Sequence, residues 1–154
     1  MGVLSNIEPY GVFRFFEEIC GIPHGSSDTK KISDYLVKFA IDKNLRYIQD
    51  ESNNVIIFKD GTAGYEDSAP VMLQGHMDMV CEKDVDCDID FEWDGLRLVL
   101  EDGVISADGT TLGGDDGIAV AFALAILDAD DIPHPPIECV FTAVSYTHLT
   151  LPTK

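Results

Sequence analysis

The chain has 154 residues, long enough for one domain with a hydrophobic core and too short for a multidomain enzyme. Its 28 acidic and 10 basic residues give a net charge of −18, which repels nucleic acid and anionic lipid surfaces. The sequence has no apolar run of the roughly 20 residues that cross a bilayer and no secretory signal pattern, so we expect a cytoplasmic protein with no membrane and no nucleic-acid partner.

Two amphipathic helices are predicted before residue 45. The apolar residues of segment 9–20 recur at helical spacing, and a glycine and a proline follow the segment. A second helical pattern covers residues 26–44, where Ser27 or Asp28 can act as the N-cap. The residues predicted to form buried stripes are Val12, Phe13, Phe16 and Ile19 in the first helix and Ile32, Tyr35, Leu36 and Phe39 in the second.

The rest of the chain alternates between strand and helix patterns. The segments with strand patterns are 45–50, 54–60, 71–75, 96–107 and 137–144. Asp102 and Gly103 are predicted to turn segment 96–107 into a hairpin. Segment 116–127 is an alanine-rich helix that is apolar nearly all round and is therefore predicted to be buried. Together these patterns predict an α/β domain with a mixed sheet flanked by helices.

The strand over residues 71–75 runs directly into His76 and Asp78. Because residues two apart in a strand face the same side, both side chains should project together from the strand end. A metal-binding imidazole usually has a carboxylate or carbonyl on its other nitrogen, and open α/β sheets bind ligands beyond the carboxyl ends of their strands. A histidine and an aspartate at this spacing are nevertheless more often a structural hydrogen bond, so the pair alone does not define a function.

A second acidic pair, Asp115 and Asp116, lies where a glycine-lined loop enters the alanine-rich helix. The free amides at a helix N-terminus favour anions, so either residue could simply be the N-cap. Two adjacent carboxylates are more than a cap needs. They also form a pair of oxygen donors that a divalent cation would satisfy.

Four segments, in this order and spacing, closely resemble the aminoacyl-histidine dipeptidases, a branch of the co-catalytic zinc aminopeptidase and carboxypeptidase family. The segments are IPHGSSDTKKISDYLVKFA, LQGHMDMV, TLGGDDGIA and HPPIECVFT. The resemblance covers residues 10–144 and implies that His76 is a metal ligand and that Asp115 is a ligand shared by two metals. It implies that Asp78 is the catalytic-site carboxylate that orients His76, and that the peptide bond between residues 115 and 116 is cis. Asp116 stands where relatives often carry asparagine, and we do not assign it as a ligand.

The resemblance also implies the chemistry. Two zinc ions, or cobalt or manganese in their place, would activate a water molecule, and a glutamate would act as the general base. The expected substrate is a small dipeptide, typically with a C-terminal histidine. The complete enzyme is expected to be a homodimer.

The resemblance ends near Val144. Family members carry a Glu-Glu pair directly after the strand that matches IECVFT, whereas this chain reads FTAVSYTHLTLPTK. We therefore expect residues 1–144 to be the N-terminal portion of a metallopeptidase catalytic domain and residues 145–154 to be a non-native tail, with His148 excluded as a site residue. Two protein ligands cannot close a tetrahedral zinc site, so the chain as written is expected to lack dipeptidase activity.

Two other interpretations remain open. The acidic segment 84–95 places aspartates at positions 1, 3 and 5 of a calcium-binding EF-hand loop, but Ile89 and Gly95 stand where that loop needs glycine and glutamate. A solvated acidic loop is therefore favoured over a calcium module. The chain could also be a non-catalytic remnant or interaction protein that retains the fold.

The other potential ligands favour structural roles. The four cysteines, Cys20, Cys81, Cys87 and Cys139, form no Cys-x-x-Cys pair, which favours reduced structural cysteines over disulfides or a zinc knuckle. His24 and His134 lie in predicted loops beside prolines and are interpreted as structural or surface residues.

Overall fold

The computed structural model describes residues 2–144. The predicted tail 145–154, with His148, lies outside the described residues. In chain order the elements are α1 (Tyr10–Cys20), α2 (Lys30–Asp42), β1 (Arg46–Gln49), β2 (Val55–Lys59), β3 (Val71–His76), β4 (Leu98–Glu101), β5 (Val104–Ala107), α3 (Gly114–Asp128) and β6 (Ile137–Thr142). No helix among these residues is long and apolar enough to cross a bilayer.

Four strands form a mixed sheet in the order β1-β2-β6-β3, which confirms the predicted α/β class. β1 and β6 both pair antiparallel with β2, whereas β3 pairs parallel with β6. The register aligns Val71 with Ile137 and His76 with Thr142. His76 therefore lies at the carboxyl end of the parallel pair, where open α/β sheets bind their ligands.

The helices bury their apolar faces against each other and against β2, β3 and β6. In α1, Phe15 is buried although the predicted stripe omitted it, and Phe13 is only partly buried. The reason is that α1 contacts α2 as well as α3, and the Phe15 ring packs edge-on against Phe39 of α2 with centroids 5.5 Å apart. Tyr35 is likewise only partly buried, and its hydroxyl donates to Glu18.

The start of α2 differs from the prediction. Neither Ser27 nor Asp28 is the N-cap, because the helix begins at Lys30 after Thr29. The Asp28 amide donates instead to the Gly25 carbonyl, so a turn precedes the helix and moves its start along the chain. The Thr29 carbonyl accepts the first helical hydrogen bond, from the Ser33 amide.

The alanine-rich helix α3 is buried on one side rather than all round. Val120, Ala121 and Leu124 are inaccessible to solvent, whereas Phe122 is 48% exposed. Within residues 2–144, α1 and β3 cover only one face of α3, and Phe122 lies on the other. All four cysteines are free, as predicted.

The separate β4–β5 hairpin turns at Asp102 and Gly103, as predicted. Their φ angles of 51° and 79° define a two-residue turn of the kind that favours glycine.

We expect Gly103→Ala to lower the free energy of unfolding by about 1–2 kcal/mol, because a Cβ is disfavoured at positive φ. Urea denaturation measures the change. Gly11→Ala is the matched control: it lies inside α1 with space for a Cβ and should be neutral or stabilising. Equal effects of both substitutions would contradict the expectation.

Candidate functional site

The imidazole of His76 is held between two carboxylates. Its Nδ1 lies 3.0 Å from Oδ1 of Asp78 and 3.1 Å from the Asp78 carbonyl oxygen. Its Nε2 lies 3.1 Å from Oδ1 of Asp115. The structure therefore brings together the three residues that the sequence singled out, two from the end of β3 and one from the start of α3.

The two carboxylates have opposite exposure. The Asp78 side chain is only 4% exposed, whereas that of Asp115 is 96% exposed, and His76 lies between them at 17%. Asp78 thus supports the imidazole from the protein interior. Nε2 and the Asp115 carboxylate face the solvent side, from which a ligand would approach.

The entry into α3 is irregular. Gly113 occupies the N-cap position, so the interpretation of Asp115 or Asp116 as the N-cap is wrong. Asp115 and Asp116 both have non-helical backbone angles, and the peptide bond between them is cis, as the resemblance implied. The first regular hydrogen bond, from the Gly117 amide to the Gly113 carbonyl, spans both residues. The Asp115 side chain lies beside His76 rather than along the helix.

Asp116 has a contact that the sequence analysis missed. The His76 amide donates a hydrogen bond to Asp116 Oδ2 at 3.2 Å. The sequence pattern indicates only a cap or a metal ligand at this position. The signal that could have pointed to this contact is Gly75, because a residue without Cβ beside a site histidine indicates that something approaches the backbone closely.

The charges around His76 determine its pKa. Burial lowers this pKa, but the hydrogen bond to Asp115 and the negative charges of Asp78 and Asp116 outweigh burial, so the pKa lies above 6.5. Because the folded-state pKa is the higher one, the protonated imidazole stabilises the fold fully below pH 6.5. That contribution is lost as the pH rises through the folded pKa.

We therefore expect NMR titration of the metal-free chain to give His76 a midpoint above 6.5, and Asp115→Asn to lower that midpoint. His24 is an internal control, because burial lowers its pKa despite a hydrogen bond to the Ile22 carbonyl and the charge of Asp78. The two histidines should thus titrate on opposite sides of 6.5. A His76 midpoint that does not respond to Asp115→Asn would contradict the assignment of the shift.

The donor geometry of His76 and Asp115 fits a single metal ion. Zinc bound by nitrogen and oxygen at about 2.0–2.2 Å in a tetrahedral arrangement places two donor atoms about 3.3–3.5 Å apart. The observed separation of Nε2 and Oδ1 is 3.1 Å, so the two atoms need to move apart by only a few tenths of an ångström to hold one ion. Residues 2–144 contain no group of three or more potential ligands, so this part of the chain offers two. The chemistry that these residues allow is cation binding at an open surface.

Two cavities lie elsewhere on the molecule. One of about 270 Å³ is lined by residues of α1 and α2 and by Asp128, and one of about 260 Å³ is lined by residues 82–84 and by residues near Thr110. Neither is lined by His76, Asp78 or Asp115. The candidate site thus lies outside both of these cavities.

The other candidate ligands have structural partners. His24 and His134 are both buried, so the surface alternative is wrong for them, and each has Nδ1 beside a backbone carbonyl, of Ile22 and Pro135 respectively. In the acidic segment 84–95, Asp88 pairs with Arg97 at 2.8 Å. An EF-hand has a helix on each side of its loop, and neither side of this segment carries one.

No family model matches the chain. It is 38% identical over 142 residues to the cytosol non-specific dipeptidase of Escherichia coli K12, covering 92% of this chain and 29% of that protein. The solved aminoacylhistidine dipeptidase of Vibrio alginolyticus superimposes with a TM-score of 0.91 at 37% identity, covering 96% of this chain and 30% of that structure. The predicted resemblance to aminoacyl-histidine dipeptidases is confirmed. The chain thus spans less than a third of the length of these two relatives.

More distant structures share the fold. A tripeptidase from Staphylococcus aureus superimposes with a TM-score of 0.68 at 24% identity, covering 88% of this chain and 36% of that one. An aminopeptidase from Bacillus cereus gives a TM-score of 0.65 at 23% identity with the same coverage. At this level of identity the similarity extends to the fold alone. The arrangement of sheet and helices described above is therefore shared with both structures.

Proposed function

We propose that the complete protein is a cytoplasmic, metal-dependent dipeptidase that acts on small dipeptides, typically with a C-terminal histidine, and that it forms a homodimer. The observation that carries this proposal is the position of His76 at a strand end, between the buried Asp78 and the exposed Asp115. The similarity to two dipeptidases supports the reaction class. Zinc is the proposed metal, with cobalt or manganese as substitutes.

In this proposal His76 and Asp115 bind the metal. The carboxylate of Asp78 beside Nδ1 favours the tautomer with the proton on that nitrogen, which leaves the lone pair of Nε2 free for a cation. The Asp115 carboxylate, 96% exposed beside Nε2, would be the second residue to hold the metal. When bound, the metal supplies Lewis acidity that activates water and polarises the scissile carbonyl. Asp78 orients the imidazole and does not contact the substrate.

Two residues do not complete such a site. A catalytic zinc has three protein ligands, and the reaction needs a general base. Residues 2–144 provide neither the third ligand nor, near His76, a glutamate. We therefore propose that the 154-residue chain alone is inactive and binds zinc weakly.

The experiment is to sequence the source DNA across codon 144 and to express the protein to its natural stop codon. We expect this protein to hydrolyse an Xaa-His dipeptide, to lose activity on chelation and to regain it when zinc is added. Hydrolysis that survives chelation would overturn the metal role. Failure to hydrolyse any of a panel of dipeptides would instead favour a non-catalytic interaction protein.

The 154-residue chain is the matched comparison in the same assay. It should show no turnover of any dipeptide in the panel. Turnover that His76→Ala abolishes would show that this chain already contains a complete catalytic metal site. It would contradict the proposal that residues 2–144 lack the third ligand and the general base.

A further inference from the structure

Asp116 connects the two backbone segments that hold His76 and Asp115. It follows Asp115 in the chain, and its Oδ2 accepts a hydrogen bond from the His76 amide at 3.2 Å. One side chain thus joins the end of β3 to the start of α3. The Nε2 atom of His76 and Oδ1 of Asp115 lie 3.1 Å apart next to this bond.

The His76 amide has no other strand to pair with in residues 2–144. The amides of Val71 and Met77 donate to β6 or its flanks, at Pro136 and Thr142, each at 2.8 Å. Because amides alternate in direction along a strand, those of even-numbered residues in β3, including His76, point away from β6. That edge of β3 is unpaired in the described part of the chain. The Asp116 carboxylate is therefore the acceptor for an amide that the sheet leaves free.

Gly75 allows Asp116 to approach this closely. A Cβ on Gly75 would lie 3.1 Å from Asp116 Oδ2 and 3.3 Å from the Ala119 Cβ, both tighter than ordinary contacts. Any side chain at position 75 would therefore require Asp116 or Ala119 to move by a few tenths of an ångström. Gly75 thus leaves the space in which the Asp116 carboxylate reaches the His76 amide.

We propose that Asp116 is a positioning residue that holds His76 at ligand distance from Asp115 by accepting the hydrogen bond of the His76 amide. The inference rests on the proposed metal role of His76 and Asp115. The required property of Asp116 is its acceptor oxygen rather than its charge. Asparagine, which also carries an acceptor oxygen, should therefore replace it, whereas alanine should not.

The test uses the ¹⁵N-labelled 154-residue chain and two NMR measurements. The first is hydrogen exchange of the His76 amide without metal, and the second is a Co²⁺ titration followed by the paramagnetic shift of the same signal. We expect Asp116→Ala to speed exchange more than 10-fold and to weaken Co²⁺ binding 10- to 100-fold. Asp116→Asn should leave both within about threefold of the parent chain.

A second variant reaches the same bond without altering Asp116. Gly75→Ala should displace the carboxylate and speed exchange of the His76 amide, whereas the amide of the buried Ile57 in β2, which β6 separates from β3, should exchange as before. An unchanged Ile57 amide shows that the variants are folded.

Two results would overturn the inference. One is an Asp116→Asn variant as impaired as Asp116→Ala, since charge or direct ligation would then be the active property. The other is an Asp116→Ala variant with unchanged exchange at His76. If Co²⁺ shifts no signal near His76 in the parent chain, the proposed metal role fails, and the exchange measurements still decide the role of Asp116.

Discussion

We expect His76→Ala, made in the protein expressed to its natural stop codon, to lower kcat/KM for dipeptide hydrolysis at least 100-fold. Substitutions that only disturb the partners of a metal ligand typically cost 10- to 100-fold, and this one removes the ligand itself. The loss should also appear as weakened zinc binding, because the solvent-facing Nε2 beside Asp115 is the nitrogen available to a cation. Steady-state kinetics and a competition assay with a zinc indicator measure both quantities.

His134→Ala is the matched control for this variant. His134 is a buried histidine, whereas His76 is partly exposed, and it precedes β6 and therefore lies at the opposite end of the sheet from His76. Its loss should lower stability and leave zinc binding unchanged in the folded protein. Equal losses of zinc affinity in the two variants would show that the His76 effect is structural and would argue against the proposed site.

The largest effect on stability is expected at Phe141. This residue is 1% exposed near the end of β6, an inner strand of the sheet, and Phe→Ala substitutions in protein cores cost about 3–5 kcal/mol through lost burial and an unfilled cavity. Domains of this size are stable by only about 5–15 kcal/mol. Phe141→Ala should therefore lower the denaturation midpoint of the 154-residue chain sharply or leave it unfolded. Urea denaturation followed by circular dichroism measures the change.

Phe122→Ala makes the same chemical change on an exposed face. Phe122 is 48% exposed on the side of α3 that neither α1 nor β3 covers, so its loss should change the free energy of unfolding by less than about 1 kcal/mol. A large cost at Phe122 would mean that this face packs against something within the chain. A small cost at Phe141 would mean that the sheet is not the centre of the core.

The secondary structure could be predicted because local patterns and tertiary packing agree in most elements. The hairpin at Asp102 and Gly103 is an example, since both residues suit the positive φ angles of the turn. The predictions failed where one specific contact, rather than hydrophobic periodicity, decides the outcome. Burial of Phe15 depends on Phe39 of a second helix, and the start of α2 depends on the turn from Gly25 to Asp28. Neither contact leaves a trace in local periodicity.

The candidate site, like the secondary structure, could be predicted only in part. The spacing of His76 and Asp78 predicted that they lie on one side, and the hydrogen bond between them agrees with that expectation. The approach of Asp115 came from a family resemblance, since no local rule places a helix start beside a strand end 39 residues earlier. Gly75 was the one hint in the sequence of the contact between Asp116 and the His76 amide, because that contact depends on which edge of β3 is unpaired.

The position of β6 has a consequence for biosynthesis. The sheet order places β6 between β2 and β3, although β6 is the last of these strands to be synthesised. β3 therefore has no strand partner until residues 137–142 have left the ribosome, and β1 and β2 can form only an isolated pair before then. Two-stranded hairpins are at best marginally stable in water. A nascent chain that stalls before residue 137 should thus expose β3 to chaperones and proteases, and folding of the domain should begin only when β6 emerges.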